Sequence, residues 1–107
     1  ADDWQLAVSA AEAVVEGGIR VIEITCTVPQ GELAIAELRR RFGIGVLVGA
    51  GTVITPDNTR RMADAGAQFL VSPGSTPTLL NVLAEEARPF IGGAITLSEV
   101  MVAVDHG

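Results

Sequence analysis

Few residues in this chain can do chemistry, and one of them stands in unexpected company. Glu23 lies in the run Val21-Ile22-Glu23-Ile24-Thr25, which reads as a fully buried strand. An ionised carboxylate costs on the order of several kcal/mol to bury unless it is paired or hydrogen-bonded. Glu23 is therefore either a proton-handling group in a site or the buried partner of an arginine. Arg20 is a poor partner, because residues three apart on a strand point to opposite faces. Cys26 and His106 suggest a thiol and imidazole pair, but no spacing brings them together, and His106 reads as a helix-end histidine. One histidine among scattered carboxylates makes no ligand cluster, so neither a metal nor a cofactor is expected.

The other candidate is Gly49-Ala50-Gly51-Thr52, a glycine-rich loop after a strand. Ile54 stands where a dinucleotide fingerprint needs its third glycine, and the P-loop lysine is missing. The backbone amides can hold a carboxylate or phosphate oxygen with Thr52 as hydroxyl donor, or the segment can be a simple tight turn. Both readings stay open. Lysine is absent from the whole sequence, whose seven cations are all arginine.

Composition narrows the setting. The 107 residues are 49% hydrophobic and 19% charged, which suits one packed domain over residues 1–107. Aromatic content is 4%, so the core must be aliphatic, and low aromatic with high Ala, Val, Ile and Gly content is typical of strands buried on both faces. The net charge of -6 leaves no basic footprint for nucleic acid. No apolar run approaches the ~20 residues of a membrane helix, and no signal peptide opens the chain. With one cysteine, Cys26, no internal disulfide forms, and a cytoplasmic location is expected.

The elements that must position these residues follow from local signals. Residues 3–16 read as a helix with Asp2 or Asp3 as its cap and Gly17-Gly18 as its stop. Residues 19–25 make a first strand. Residues 31–42 make a second helix, whose Arg39-Arg40-Arg41 is expected to be a solvated end. A second strand spans 46–48. Thr55-Pro56 and Thr76-Pro77 are cap-plus-proline helix starts on either side of a third strand at 68–71. Phe90-Ile91 opens a fourth strand running toward Ile95-Thr96, and residues 98–105 make a last helix.

Strands alternating with helices, in a unit of ~22–27 residues, imply a parallel sheet with helical crossovers. Three strands end in small or polar clusters: Thr25-Cys26-Thr27, Gly49-Ala50-Gly51-Thr52 and Ser72-Pro73-Gly74. Barrels gather chemistry where strand ends converge, whereas a doubly wound sheet concentrates its glycines at one switch point. The pattern favours an incomplete barrel.

The ordered set of Gly-Gly-Ile-Arg-Val-Ile-Glu-Ile-Thr at 17–25, Gly-Ala-Gly-Thr-Val at 49–53, Ala-Gly-Ala-Gln-Phe-Leu-Val-Ser-Pro-Gly at 65–74 and Gly-Gly-Ala-Ile-Thr-Leu-Ser-Glu-Val at 92–100 resembles the 2-keto-3-deoxy-6-phosphogluconate (KDPG) aldolase family. That family also carries 4-hydroxy-2-oxoglutarate aldolase activity. The resemblance implies an α/β fold, here a partial TIM (β/α)8 barrel of about strands two to five with their helices. It implies a class I, Schiff-base aldolase that cleaves its substrate to pyruvate and glyceraldehyde 3-phosphate without a cofactor. By the same resemblance Glu23 shuttles protons through a bound water, Gly51, Thr52 and Pro73 contact the carboxylate and carbonyl of pyruvate, and Thr96 lines the fourth strand end. The implied partners are small-molecule keto acids and further copies of the chain, a trimer in the family, with no nucleic acid and no membrane.

Three departures qualify the resemblance. Thr27 stands where the family has a carboxylate-clamping arginine, and Gly92-Gly93 where it has Pro-Gly. The Schiff-base lysine belongs to a strand expected just after Gly107. Without lysine the chain has no side-chain amine for an imine, which leaves only the terminal amine of Ala1. A rival reading is a non-catalytic half-barrel scaffold that self-associates through open strand edges. A third is a phosphate-binding barrel enzyme that uses Glu23 as a base without an imine.

Overall fold

A computed structural model describes residues 2–107, so the Ala1 amine lies outside the described residues. Its elements are α1 (Asp3–Glu16), β1 (Val21–Thr25), α2 (Gly31–Phe42), β2 (Leu47–Gly51), α3 (Pro56–Asp64), β3 (Leu70–Ser72), α4 (Pro77–Glu85), β4 (Phe90–Gly92) and α5 (Leu97–Asp105), with a single 3-10 turn at Gly43–Gly45. The caps expected from sequence are made. Thr55 Oγ1 accepts from the Asn58 amide at 3.1 Å and Thr76 Oγ1 from the Leu79 amide at 3.2 Å, each ahead of a proline that has no amide to lose. The Asp2 amide donates to Gln5 Oε1 at 2.9 Å at the start of α1.

Among the described residues the strands form one parallel sheet in the order β1-β2-β3-β4, each joined to the next through a helix. The register pairs Glu23 with Gly49, Thr25 with Gly51, Ala50 with Leu70, and Ser72 with Gly92. One face of the sheet carries Ile22, Ile24, Val48, Ala50 and Leu70 into an aliphatic core with Val8, Ile35, Leu38, Met62, Leu80 and Leu83 from the helices. Leu38, Met62, Leu70, Leu80 and Leu83 are fully buried, so each contributes about 1.5–3 kcal/mol of apolar transfer.

The opposite face is open, and this corrects the expectation of strands buried on both sides. Val21 is 55% exposed, Leu47 47% and Ile91 65%. A barrel interior is filled by inward side chains from all its strands, and four strands do not enclose one. Glu23 is corrected for the same reason. It is exposed, because alternation sends Ile22 and Ile24 to the helix side and Glu23 to the open side.

Smaller corrections have local causes. β1 starts at Val21, where pairing with Leu47 begins, and Ile19 and Arg20 lie exposed ahead of it. β4 ends at Gly92 and does not run on to Ile95-Thr96, because Thr96 already caps α5. The arginine run is not uniformly solvated. Arg39 donates through Nη1 to the Gly66 carbonyl and buries its Nε, while Arg40 and Arg41 grip Glu37 at 2.6 and 2.7 Å, and Arg41 also bonds Glu12. Hydrogen bonds from Arg40 and then Arg41 lower the Glu37 carboxyl to about 2. His106 ends α5 as expected, with Nδ1 2.8 Å from the Val102 carbonyl and Nε2 3.0 Å from Asn81 Oδ1.

Candidate active site

The C-terminal ends of parallel strands share one edge of the sheet, and most of the predicted site residues fall there. Glu23 does not stand straight out from β1. A Cβ added to Gly51 would fall 1.7 Å from Glu23 Oε1, 2.3 Å from its carboxyl carbon and 2.7 Å from Cγ. The side chain thus crosses onto β2 and lies over Gly51, toward the strand end. A Cβ on Gly49 would meet the outer ring atoms of Phe69 at 2.5 Å. Both glycines are strand residues, in place of the expected glycine-rich loop, and their missing side chains leave room for Glu23 and Phe69.

Thr52 follows Gly51 with φ of 53°, a left-handed conformation that a β-branched residue rarely adopts. Such strain costs on the order of 1–3 kcal/mol and persists only where neighbours hold it. Here the Cys26 amide donates to the Gly51 carbonyl at 2.9 Å and the Val53 amide to the Val71 carbonyl at 3.0 Å, with the Val53 side chain fully buried. At the end of β1 the hydroxyls of Thr25 and Thr27 lie 2.6 Å apart. Cys26 between them is half-buried, and burial pushes its thiol up in pKa, with Arg61 lowering and Glu32 raising it by smaller amounts. It is therefore a protonated thiol and a poor nucleophile near neutrality.

Pro73 is exposed just past β3, on a loop braced against the one after β4. Ser72 Oγ donates to the Gly74 carbonyl at 2.7 Å, Ser75 Oγ to the Gly93 carbonyl at 2.6 Å, and the Gly93 amide to the Ser72 carbonyl at 2.8 Å. A Cβ at position 93 would lie 2.3 Å from the Pro73 carbonyl oxygen, which is why glycine stands there. Thr96 is exposed and committed to a capping box: its hydroxyl takes the Glu99 amide at 3.2 Å and donates to Glu99 Oε1 at 2.8 Å. The Thr96 hydroxyl bond, and after it the Thr96 and Ile95 amides donating to the same oxygen, hold the Glu99 carboxyl below its usual pKa.

Glu23, Gly51 and Thr52 are thus brought together with Thr25 and Thr27, Pro73 follows one strand over, and Thr96 sits on a helix cap. The Thr25-Cys26-Thr27 cluster is visible in the sequence, but neither its hydroxyl pair nor Phe69 is assigned a role from it. The available signal was the Gly-x-Gly alternation inside a strand, which marks close approach by other atoms. Among the described residues there is no group of three or more His, Cys, Asp or Glu that could hold a metal ion. No helix among them is long and apolar enough to cross a membrane.

Two depressions adjoin the site. A groove of about 440 Å³ runs along the free edge of β1, between it and Ala7, Ala10 and Val14 of α1, and includes Glu23. An apolar recess of about 320 Å³ lies at the other end of the open face, lined by Val21, Leu47, Phe69 and Ile91. Chemically the arrangement offers a carboxylate for proton exchange, hydroxyls and a strained turn for binding oxygen atoms, and no amine.

Residues 1–107 match the family model for KDPG and KHG aldolase. The KHG/KDPG aldolase of Escherichia coli (strain K12) is 41% identical over 101 residues, which cover 94% of this chain and 47% of that protein. The 2-dehydro-3-deoxy-phosphogluconate aldolase of Dickeya dadantii (strain 3937) gives the same identity and coverage, 41% over 94% and 47%. Among solved structures, the KDPG aldolase of Legionella pneumophila, with pyruvate captured at low pH as a covalent carbinolamine intermediate, superposes with a TM-score of 0.89 at 37% identity, covering 100% of this chain and 52% of that one. The chain spans about half the length of the curated relatives it matches, and its sheet corresponds to about half of their TIM-barrel-like fold.

Proposed function

This chain belongs to the KDPG and KHG aldolase family, and from that premise we propose that it forms strands two to five of a (β/α)8 barrel that reversibly cleaves 2-keto-3-deoxy-6-phosphogluconate to pyruvate and glyceraldehyde 3-phosphate. In this reading Glu23 is the proton carrier. Cleavage of the C3–C4 bond needs the C4 hydroxyl proton removed and a proton returned to C3, and one carboxyl acting through a water serves both steps. Gly51, Thr52 and Pro73 contact the pyruvate carboxylate and carbonyl, and Thr96 lines the outer part of the site. The sequence contains no lysine, so in this reading the imine-forming amine is not a side chain of residues 1–107.

The observation that carries the reading is the seat of Glu23 over Gly51, beside the strained Thr52. Strain of that kind persists where positioning matters. A chimera in which this chain replaces the matched 101-residue stretch of the E. coli relative tests it. The chimera should release pyruvate, and Glu23→Gln should slow turnover by roughly 10²–10⁴-fold. Undiminished turnover in Glu23→Gln would remove the assigned role.

A second reading, a half-barrel that self-associates, is favoured by one feature. β1 and β4 are both edge strands, and the face between them exposes Val21, Leu47 and Ile91. Sedimentation of the 107-residue chain decides it: a well-folded monomer over the micromolar range sets this reading aside.

A further inference from the structure

Register places Glu23 directly opposite Gly49, yet its carboxylate lies over Gly51. The seat straight across is taken: the outer ring atoms of Phe69 occupy the space a Gly49 Cβ would fill, reaching it from the bend just ahead of β3. The two seats are two residues apart on the same face, hence ~6.6 Å along the strand. Ring and carboxylate lie side by side over two glycines of β2, which offer no side chain of their own at those two positions. The ring is on the side of the apolar recess, the carboxylate on the side of Thr52.

We propose that Phe69 is a positioning residue: by filling the seat over Gly49 it directs the Glu23 carboxylate onto Gly51 at the sheet mouth. This rests on the reading of Glu23 as proton carrier, and goes beyond it by assigning the group that fixes where that carboxylate sits. Phe69 touches no reacting atom in this account. Its effect passes entirely through the direction of the Glu23 side chain.

Proton NMR on the 107-residue chain tests the placement. Through-space contacts from the Glu23 Hγ protons should reach the Gly51 Hα protons. In Phe69→Ala they should move to the Gly49 Hα protons, and in Phe69→Tyr, which keeps the ring, they should stay on Gly51. Phe69→Leu stays apolar but is too short to fill the seat the outer ring atoms occupy, and should also release the Glu23 contacts toward Gly49, which reads the placement if Phe69→Ala fails to fold. Glu23 contacts that remain on Gly51 in folded Phe69→Ala or Phe69→Leu overturn it.

In the chimera, Phe69→Ala should lower kcat by roughly 100-fold with KM little changed, and Phe69→Tyr should restore it. A merely structural Phe69 would instead lower melting temperature and leave kcat of the folded fraction intact, which overturns the proposal. The two readings fail separately. If the contacts shift as expected but Glu23→Gln leaves turnover untouched, the function assigned to Glu23 fails and the positioning stands. If Glu23→Gln abolishes turnover while Phe69→Ala leaves contacts and kcat unchanged, the positioning fails alone.

Discussion

Replacing Gly93 with alanine should be among the most destabilising small changes at the strand-end face. The added Cβ would stand 2.3 Å from the Pro73 carbonyl oxygen, 2.5 Å from its carbon and 3.0 Å from the Ser72 oxygen, all backbone atoms that cannot rotate away. Separating the two loops stretches the Gly93 amide to Ser72 carbonyl bond of 2.8 Å and the Ser75 Oγ to Gly93 carbonyl bond of 2.6 Å. Each bond is worth about 1 kcal/mol net, and relieving an overlap costs about 1–3 kcal/mol more. The sum is about 3–5 kcal/mol, a large share of the ~5–15 kcal/mol by which domains are stable. Gly74→Ala is the matched control, since a Cβ there meets nothing within 4 Å. Urea unfolding followed by circular dichroism should show a much lower midpoint for Gly93→Ala at unchanged slope, and a shift within about 0.5 kcal/mol for Gly74→Ala. Equal midpoints for the two variants would refute the close-approach reasoning. The same reasoning makes Gly51→Ala milder in stability, because the atom it meets is the mobile end of Glu23.

The remaining predictions concern charge, core and thiol. The Glu37 carboxyl sits at about 2 against an ordinary 4.5, so its arginine bonds contribute fully above the unfolded value and are lost as pH falls through about 2. Carboxyl-carbon NMR should show that low midpoint, rising toward 4.5 when Arg40 and Arg41 are both changed to Gln; a midpoint unmoved by the double change would contradict the pairing. Leu38→Ala, at a fully buried position, should cost about 2–5 kcal/mol in chemical unfolding, and under 1 kcal/mol would mean that the core is not packed as described. Burial raises the Cys26 thiol, so iodoacetamide should modify it more slowly than free cysteine at neutral pH, and more slowly still in Arg61→Gln, which loses the one lowering influence. Faster reaction in that variant would reverse the assigned sign.

Much of this was legible in local sequence. Thr55-Pro56 and Thr76-Pro77 announce helix starts because cap and proline chemistry act within three residues. Gly17-Gly18 and Gly66 end helices for equally local reasons, with Gly18 and Gly66 at positive φ. Glu23 stands out because a carboxylate between isoleucines is unusual, and its strand is legible apart from a start placed two residues early.

What was missed depends on neighbours distant in sequence. Gly49 and Gly51 read as a loop because nothing local says that Glu23 of β1 and Phe69, just ahead of β3, will lie over them. The exposure of Glu23 was present in the alternation Ile22-Glu23-Ile24, but the near-continuous apolar run suggested burial on both faces. Arg39 looked solvated beside Arg40 and Arg41, since its acceptor at Gly66 is 27 residues away. The left-handed Thr52 has no sequence signal, because threonine disfavours that conformation and only the bonds made by Cys26 and Val53 hold it.

The function proposed above divides the labour: this chain supplies the proton-handling carboxylate, and none of its side chains supplies the imine-forming amine. Borohydride reduction in the presence of pyruvate, followed by peptide mass mapping of the chimera, tests it most directly. A stable adduct is expected on a lysine supplied by the E. coli portion, none on any residue of this chain, and adduct formation should be slower in Glu23→Gln. An adduct within residues 1–107, or trapping indifferent to Glu23, would contradict it.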